Sequence, residues 1–106
     1  MQVGGGTNSF IQIGKPTTND YTNLGFKPKH ILISDIMYYS GHKISIVYDE
    51  DYSTTKYRYV YDTGAVTELD LGTTGGSQLV VTPTGFQVSS TYMPSYYSDR
   101  TMILAD

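Results

Sequence analysis

The stretch KISIVYDEDYSTTKYRYVYD, residues 43–62, decides the fold class. In its first half apolar side chains occupy every second position from Ile44, and in its second half tyrosines do the same from Tyr57. Alternation with a period of two is typical of a β-strand that buries one face. The acidic and polar residues 50–53 separate the two halves, so the stretch is predicted to form an antiparallel hairpin.

The rest of the chain carries the same kind of pattern. No window of eleven or more residues keeps the apolar spacing of an amphipathic helix, whereas short alternating runs recur between turns that contain Gly, Pro or Ser. Besides the hairpin strands at 43–49 and 55–62, we predict strands at 8–14, 29–39, 65–71, 78–82, 86–92 and 100–105. This spacing predicts an all-β fold, a single antiparallel β-sandwich of about 7–8 short strands. The sandwich is expected to span residues 8–106 after a flexible segment at 1–7, with its longest loops at 15–29 and 93–100.

Size, charge and cysteine content exclude several classes of function. A chain of 106 residues has the size of one domain. Its seven Lys and Arg residues are dispersed and its net charge is -3, so no nucleic-acid partner is expected. It has no cysteine, and its apolar runs are far shorter than the roughly 20 residues that span a bilayer. We expect no disulfide, no membrane insertion and no cofactor, and the first ten residues lack the pattern of a signal peptide.

Two glycine–phenylalanine pairs are predicted to form corners of the sandwich. In the first, Gly25 is expected to adopt a positive φ, Phe26 to plug the end of the core and Pro28 to start a strand, because proline lacks an amide hydrogen. In the second, Gly85 is expected to supply the left-handed residue of a three-residue hairpin loop. Phe86 and the alternating residues after it would then re-enter the core. Both pairs are thus interpreted as residues that shape the fold and need not contact a ligand.

The same two segments carry a family resemblance. LGFKPKHILI at 24–33 and TGFQVSS at 84–90, followed by the short last strand TMILAD at 101–106, resemble a small module of bacteriophage and prophage structural proteins. The arrangement is also similar to the H-type lectin sandwiches of tail fibres, and the resemblance covers most of the chain. It implies a virion- or tail-associated module, made in the host cytoplasm and commonly multimeric. Such a module builds the particle or contacts the host surface.

Tyrosine is the prominent residue type, with 11 Tyr against 3 Phe and no Trp. A phenol packs as an aromatic ring and keeps a polar tip, so it suits half-buried strand faces, sugar-binding surfaces and protein interfaces. The tyrosines predicted to lie in or beside loops are the candidate ligand-binding residues: Tyr38, Tyr39, Tyr92, Tyr96 and Tyr97. The alternative interpretation is that these side chains pack their own loops onto the end of the sandwich.

The histidines and the acidic loop are the remaining candidates for chemistry. His30 and His42 are predicted to be surface residues, since neither has a second histidine at the spacing of a metal site. Asp49 and Asp51 occupy the first ligand positions of a calcium-binding EF-hand loop, but the glycine and the glutamate that such a loop requires are missing. An incidental calcium site in the hairpin loop, with or without Asp62, stays open, although no metal site is predicted.

Two functions follow from these observations. The first is a non-enzymatic phage-type module that binds a host surface glycan or protein through its tyrosine loops. The second is a structural virion subunit that binds copies of itself or other virion proteins and has no ligand. A small hydrolase is a distant third hypothesis, because no nucleophile or phosphate-binding motif stands in its required context.

Overall fold

A computed structural model describes residues 2–3, 7–39, 41–72, 79–89 and 93–106. This part of the chain forms eleven strands and one short helix. Their bounds are β1 Gln2–Val3, β2 Thr7–Asn8, β3 Phe10–Ile13, β4 Asp20–Tyr21, β5 His30–Tyr39, β6 His42–Asp49, β7 Lys56–Tyr61, β8 Val66–Asp70, β9 Val80–Thr82, β10 Gly85–Gln87, α1 Met93–Tyr96 and β11 Met102–Ala105. The predicted all-β class is confirmed.

Two antiparallel sheets make the sandwich. In the described residues the larger sheet has six strands in the order β3-β11-β5-β6-β7-β8, and the smaller has three in the order β4-β10-β9. A separate ladder pairs β1 with β2, so part of the segment at 1–7 takes a paired conformation. The predicted hairpin at 43–62 is confirmed, because β6 pairs antiparallel with β7.

The core lies between one face of the six-stranded sheet and the smaller sheet. Ile44, Ile46 and Tyr48 are buried on β6, and on β7 Tyr57 and Tyr59 are buried while their neighbours are only half-buried. The rings of Tyr57 and Tyr59 meet edge to face, with centroids 5.8 Å apart. Tyr57 and Tyr59 are therefore core residues. They lie on the buried face of β7, as the alternation in the predicted hairpin requires.

Three boundaries differ from the prediction. Residues Asp20–Tyr21, expected in a loop, form β4 because Tyr21 pairs with Phe86 on β10. The strand expected at 86–92 ends at Gln87, and its last three residues lie outside the described part of the chain. The loop expected at 93–100 begins with one turn of helix. Contacts between distant segments and a single helical turn leave no periodic signal in the sequence.

The two glycine–phenylalanine pairs meet in space. Gly25 has φ +88°, as predicted, and its amide donates a hydrogen bond of 3.1 Å to the carbonyl of Thr84, next to the second pair. The prediction for Phe26 is wrong, because its side chain is only half-buried and Leu24 is the residue of this corner that packs against the core. Pro28, just before β5, is buried.

Gly85 is required for a different reason from the one predicted. Its φ is not positive, and the turn before it has two residues, since Gly85 pairs with Thr82. A Cβ atom at Gly85 would lie 1.9 Å from the carbonyl oxygen of Tyr21, so only glycine allows β10 to approach β4. Phe86 and Val88 are fully buried, as predicted.

A bulge interrupts the ladder between β5 and β6 at Asp35, between Ile33 and Ile36. Asp35 has φ +59°, which is uncommon for a residue with a side chain. Its carbonyl accepts a hydrogen bond of 3.0 Å from the hydroxyl of Thr101, a fully buried threonine that precedes β11. This contact ties the bulge to the segment between α1 and the last strand.

Candidate functional site

The side of the six-stranded sheet that faces away from the core, here called the outer face, is aliphatic over four strands. Alternation places Leu32 on this side because Ile31 and Ile33 are buried, and the same holds for Leu104 between Ile103 and Ala105. Leu104 pairs with Ile11 on one side and with Leu32 on the other, and Leu32 pairs with Val47. The aliphatic row formed by Ile11, Leu104, Leu32 and Val47 therefore crosses β3, β11, β5 and β6.

A groove of about 370 Å³ lies over the aliphatic row. Its floor is made by the aliphatic row, and its polar end by Ser9, His30, Asp49 and Asp106. Ile11 is 62% exposed at the edge of the sheet, and the next outward residue of β3, Ile13, is 80% exposed. Neighbouring exposed aliphatic side chains of this kind mark interaction surfaces in soluble proteins.

His30 and three carboxylates form the polar end of the groove. The Nδ1 atom of His30 lies 2.8 Å from Oδ1 of Asp106, and its Nε2 atom lies 3.5 Å from Oδ1 of Asp49 and 3.7 Å from Oδ2 of Asp51. The hydrogen bond with Asp106 is the main cause that raises the pKa of His30 above its usual value of 6.5. Partial desolvation opposes this shift, and the charges of Asp106 and Asp49 support it. The cluster is thus arranged to hold a protonated imidazole.

The same atoms are a possible cation site. The ligand atoms of His30, Asp49 and Asp51 lie within 4.8 Å of one another, and imidazole and carboxylate groups bind divalent metals. The three side chains are half-exposed or exposed, and a proton on His30 would compete with a cation for the same carboxylates. Asp62 does not belong to this cluster, so a calcium site in the hairpin loop would form without it. The carboxylate of Asp62 accepts hydrogen bonds from the amide of Lys43 and from His42, at the other end of the hairpin.

The structure describes the side chains of two of the five tyrosines in the predicted site. Tyr38 and Tyr39 end β5, but their side chains lie outside what the structure describes, as does the whole of Tyr92. Tyr96 ends α1 and packs half-buried against the core. Tyr97 is only 3% exposed, so its ring belongs to the core and is not available for stacking on a ligand.

The burial of Tyr97 also determines the protonation state of its phenol. Burial raises the pKa of its phenol far above the usual value of 10.0, and the nearby Tyr21 adds to the shift. The hydroxyl lies 3.4 Å from Oδ1 of Asn19, to which it donates. Tyr97 therefore stays neutral and anchors the end of α1 to the segment before β4.

The groove and the histidine cluster were missed from the sequence. The two predicted surface histidines are both about half-exposed, but the partners of His30 come from β6, the loop after it and the last residue of the chain. That convergence depends on the strand order, which the sequence does not reveal. The apolar outer face could have been found from HILIS at 30–34 and MILA at 102–105. Apolar residues on both sides of a strand indicate that both of its faces are covered.

Among the described residues no helix is long and apolar enough to cross a membrane. Comparisons of the chain with protein-family models, with curated proteins and with solved structures find no match.

Proposed function

We propose that this chain is a non-enzymatic binding module of a bacteriophage-type particle, and that the outer face of its six-stranded sheet contacts a protein surface of the host or of the virion. The observation that carries the proposal is the aliphatic row with the groove above it. The association with a phage particle is supported by the resemblance of the segments at 24–33 and 84–90.

The chemistry of the outer face favours a protein partner over a glycan. Sugar rings are usually held by aromatic side chains together with several hydrogen-bonding groups, whereas the groove floor is aliphatic and only one end is polar. Aliphatic surfaces match the apolar centre of a protein–protein interface, and a charged rim such as the His30 cluster adds specificity. Glycan binding through Tyr38, Tyr39 and Tyr92 remains the alternative.

Binding of the labelled chain to envelope vesicles from candidate bacterial hosts tests the proposal. We expect saturable binding that protease treatment of the vesicles abolishes and periodate oxidation of their glycans leaves intact. Ile11→Gln should weaken binding about fivefold, because it removes an apolar contact at the groove. The matched control is Val66→Gln, which changes an aliphatic residue of similar exposure on the same face but on the opposite edge strand, outside the groove. Binding that resists protease but is lost after oxidation would instead assign the module to glycans.

A structural subunit that associates with copies of itself is the second candidate. It is favoured by the aliphatic row, because the row of one copy can pack against the row of another.

A further inference from the structure

We infer that His30, Asp49 and Asp51 bind a divalent transition-metal ion of the zinc type, and that Asp106 is the positioning residue for the imidazole. His30, Asp49 and Asp106 line the polar end of the groove. The site does not involve the aliphatic row, so the inference goes beyond the proposed function and does not rest on it. The spacing of histidines along the chain did not predict the site, because only one of its three ligands is a histidine.

The three ligand atoms stand at distances that suit one small ion. The Nε2 atom of His30 lies 3.5 Å from Oδ1 of Asp49 and 3.7 Å from Oδ2 of Asp51, and all three atoms lie within 4.8 Å of one another. A tetrahedral zinc ion with bonds of about 2.0–2.1 Å keeps its ligands about 3.4 Å apart. The two distances from Nε2 are close to that value. The side chain of Asp51 is 88% exposed, so it can rotate to shorten the third distance.

The backbone of three segments holds the ligands in place. His30 begins β5 and stands directly opposite Asp49, the last residue of β6. The backbones of His30 and Asp106 exchange two hydrogen bonds of 3.0 Å each. In the turn after β6, the amide of Asp51 donates a hydrogen bond of 2.9 Å to Oδ1 of Asp49, which keeps the two carboxylates side by side. Binding therefore needs little new ordering of the chain.

Asp106 determines which nitrogen of His30 is available to a metal ion. Its Oδ1 atom lies 2.8 Å from Nδ1 of His30, so Nδ1 keeps a proton and donates it to this carboxylate. The nitrogen that faces Asp49 and Asp51 is then Nε2, whose lone pair binds the ion once the ion displaces its proton. Histidines that bind metals almost always have a carboxylate, a carbonyl or a water on their other nitrogen. The contact with Asp106 is of this kind and is independent of the three ligands.

The local charge favours a divalent ion, and the ligand types favour a transition metal. In the part of the chain that the structure describes, His30 is the one basic side chain that forms an ion pair with Asp49, Asp51 or Asp106. A proton on His30 balances one of these three carboxylates, whereas a divalent ion balances two. Imidazole together with carboxylate suits zinc and similar ions, while calcium and magnesium prefer oxygen ligands alone. The remaining coordination positions face solvent, because the ligands are half-exposed or exposed.

Isothermal titration of the purified, untagged chain with zinc chloride measures the binding. We expect one ion per chain with a dissociation constant of about 10 µM, and a rise in Tm of about 5 °C at about 100 µM zinc. His30→Gln and Asp51→Asn each remove a ligand and should weaken binding more than about tenfold, the loss typical of an outer partner. Asp106→Ala should weaken it about tenfold, and Asp106→Asn, which keeps an oxygen acceptor for Nδ1, should recover part of that loss. Circular dichroism verifies that each variant folds, and Asp51→Asn changes an exposed side chain.

His42→Gln is the matched control. Its Nδ1 atom lies 3.3 Å from Oδ1 of Asp62 at a similar exposure, but in the described residues this pair belongs to no group of three ligands, so zinc affinity should not change. No zinc binding up to about 1 mM, unchanged affinity in His30→Gln or Asp51→Asn, or tighter binding of calcium than of zinc would overturn the inference. Asp106→Asn as weak as Asp106→Ala would overturn the positioning role.

The zinc titration and the envelope assay fail independently. Zinc binding by a chain that binds no envelope would support the inference and overturn the host-contact form of the proposed function. Envelope binding by a chain that takes up no zinc would overturn the metal site and leave the proposed function intact.

Discussion

Replacing Gly85 with alanine should destabilise the sandwich more than any other single-methyl change at a described glycine. The added Cβ would lie 1.9 Å from the carbonyl oxygen of Tyr21 and 2.9 Å from its carbonyl carbon. Backbone atoms cannot rotate out of the way, so β10 must move away from β4. That movement would separate the stacked rings of Phe86 and Tyr21, whose centroids lie 5.1 Å apart.

The magnitude follows from these two contributions. Overpacking a tight contact costs about 1–3 kcal/mol, and losing an aromatic pair costs about 0.5–1.5 kcal/mol more, so we expect a loss of about 3 kcal/mol. With a urea slope of about 1–3 kcal/mol/M, the unfolding midpoint should fall by about 1–3 M. Urea unfolding followed by far-ultraviolet circular dichroism measures this shift.

Gly64→Ala is the matched control for Gly85→Ala. Gly64 has φ +94° and open space around its Cβ position, so the substitution strains the backbone without a collision and should cost about 1–2 kcal/mol. If Gly85→Ala proved no less stable than Gly64→Ala, the argument from close approach would be refuted.

Three further predictions concern the core, the bulge and the histidine cluster. Ile103→Ala should cost about 2–5 kcal/mol, because Ile103 is fully buried, whereas Ile13→Ala at an 80% exposed position should change the unfolding free energy by less than about 0.5 kcal/mol. Asp35→Val should be less stable than Asp35→Gly by about 1–2 kcal/mol in the same assay, since a β-branched residue tolerates the positive φ poorly; equal stability would remove the claim of strain at the bulge. Because the pKa of His30 is raised in the folded state, its charge stabilises the fold below its usual pKa of 6.5, and this contribution is lost as the pH rises through the raised value. The difference in Tm between wild type and His30→Gln should therefore be largest in acid and shrink above neutral pH. A difference that grows with pH would contradict the stabilising contact between protonated His30 and its carboxylates.

Local patterns were sufficient for most of the fold. The hairpin at 43–62 was predictable because alternation and an acidic loop lie within a single stretch of chain. The positive φ of Gly25 was predictable for the same reason, since proline and the strand start stand beside it. Such features depend on the conformational preferences of neighbouring residues alone.

Features that depend on distant contacts were not predictable in this way. Gly85 is required by the backbone of Tyr21, and no local signal distinguishes a glycine that allows close approach from one that allows a positive φ. The cluster around His30 likewise depends on the register that brings Asp49 and Asp106 beside it. The tyrosine hypothesis gave weight to residue type, whereas burial assigns Tyr97 to the core.

The position of β11 has a consequence for how the chain folds. This strand is the last along the sequence, yet it lies between β3 and β5, so Phe10 pairs with Ala105 and Ile13 with Met102. During synthesis β5 to β8 can pair as they leave the ribosome, but β3 has no neighbour in the six-stranded sheet until β11 arrives. Closing so long a loop is slow, and we expect it to be the late step of folding. The edge of β5 that β11 covers stays unpaired until that step, which leaves a newly made chain open to association through this edge.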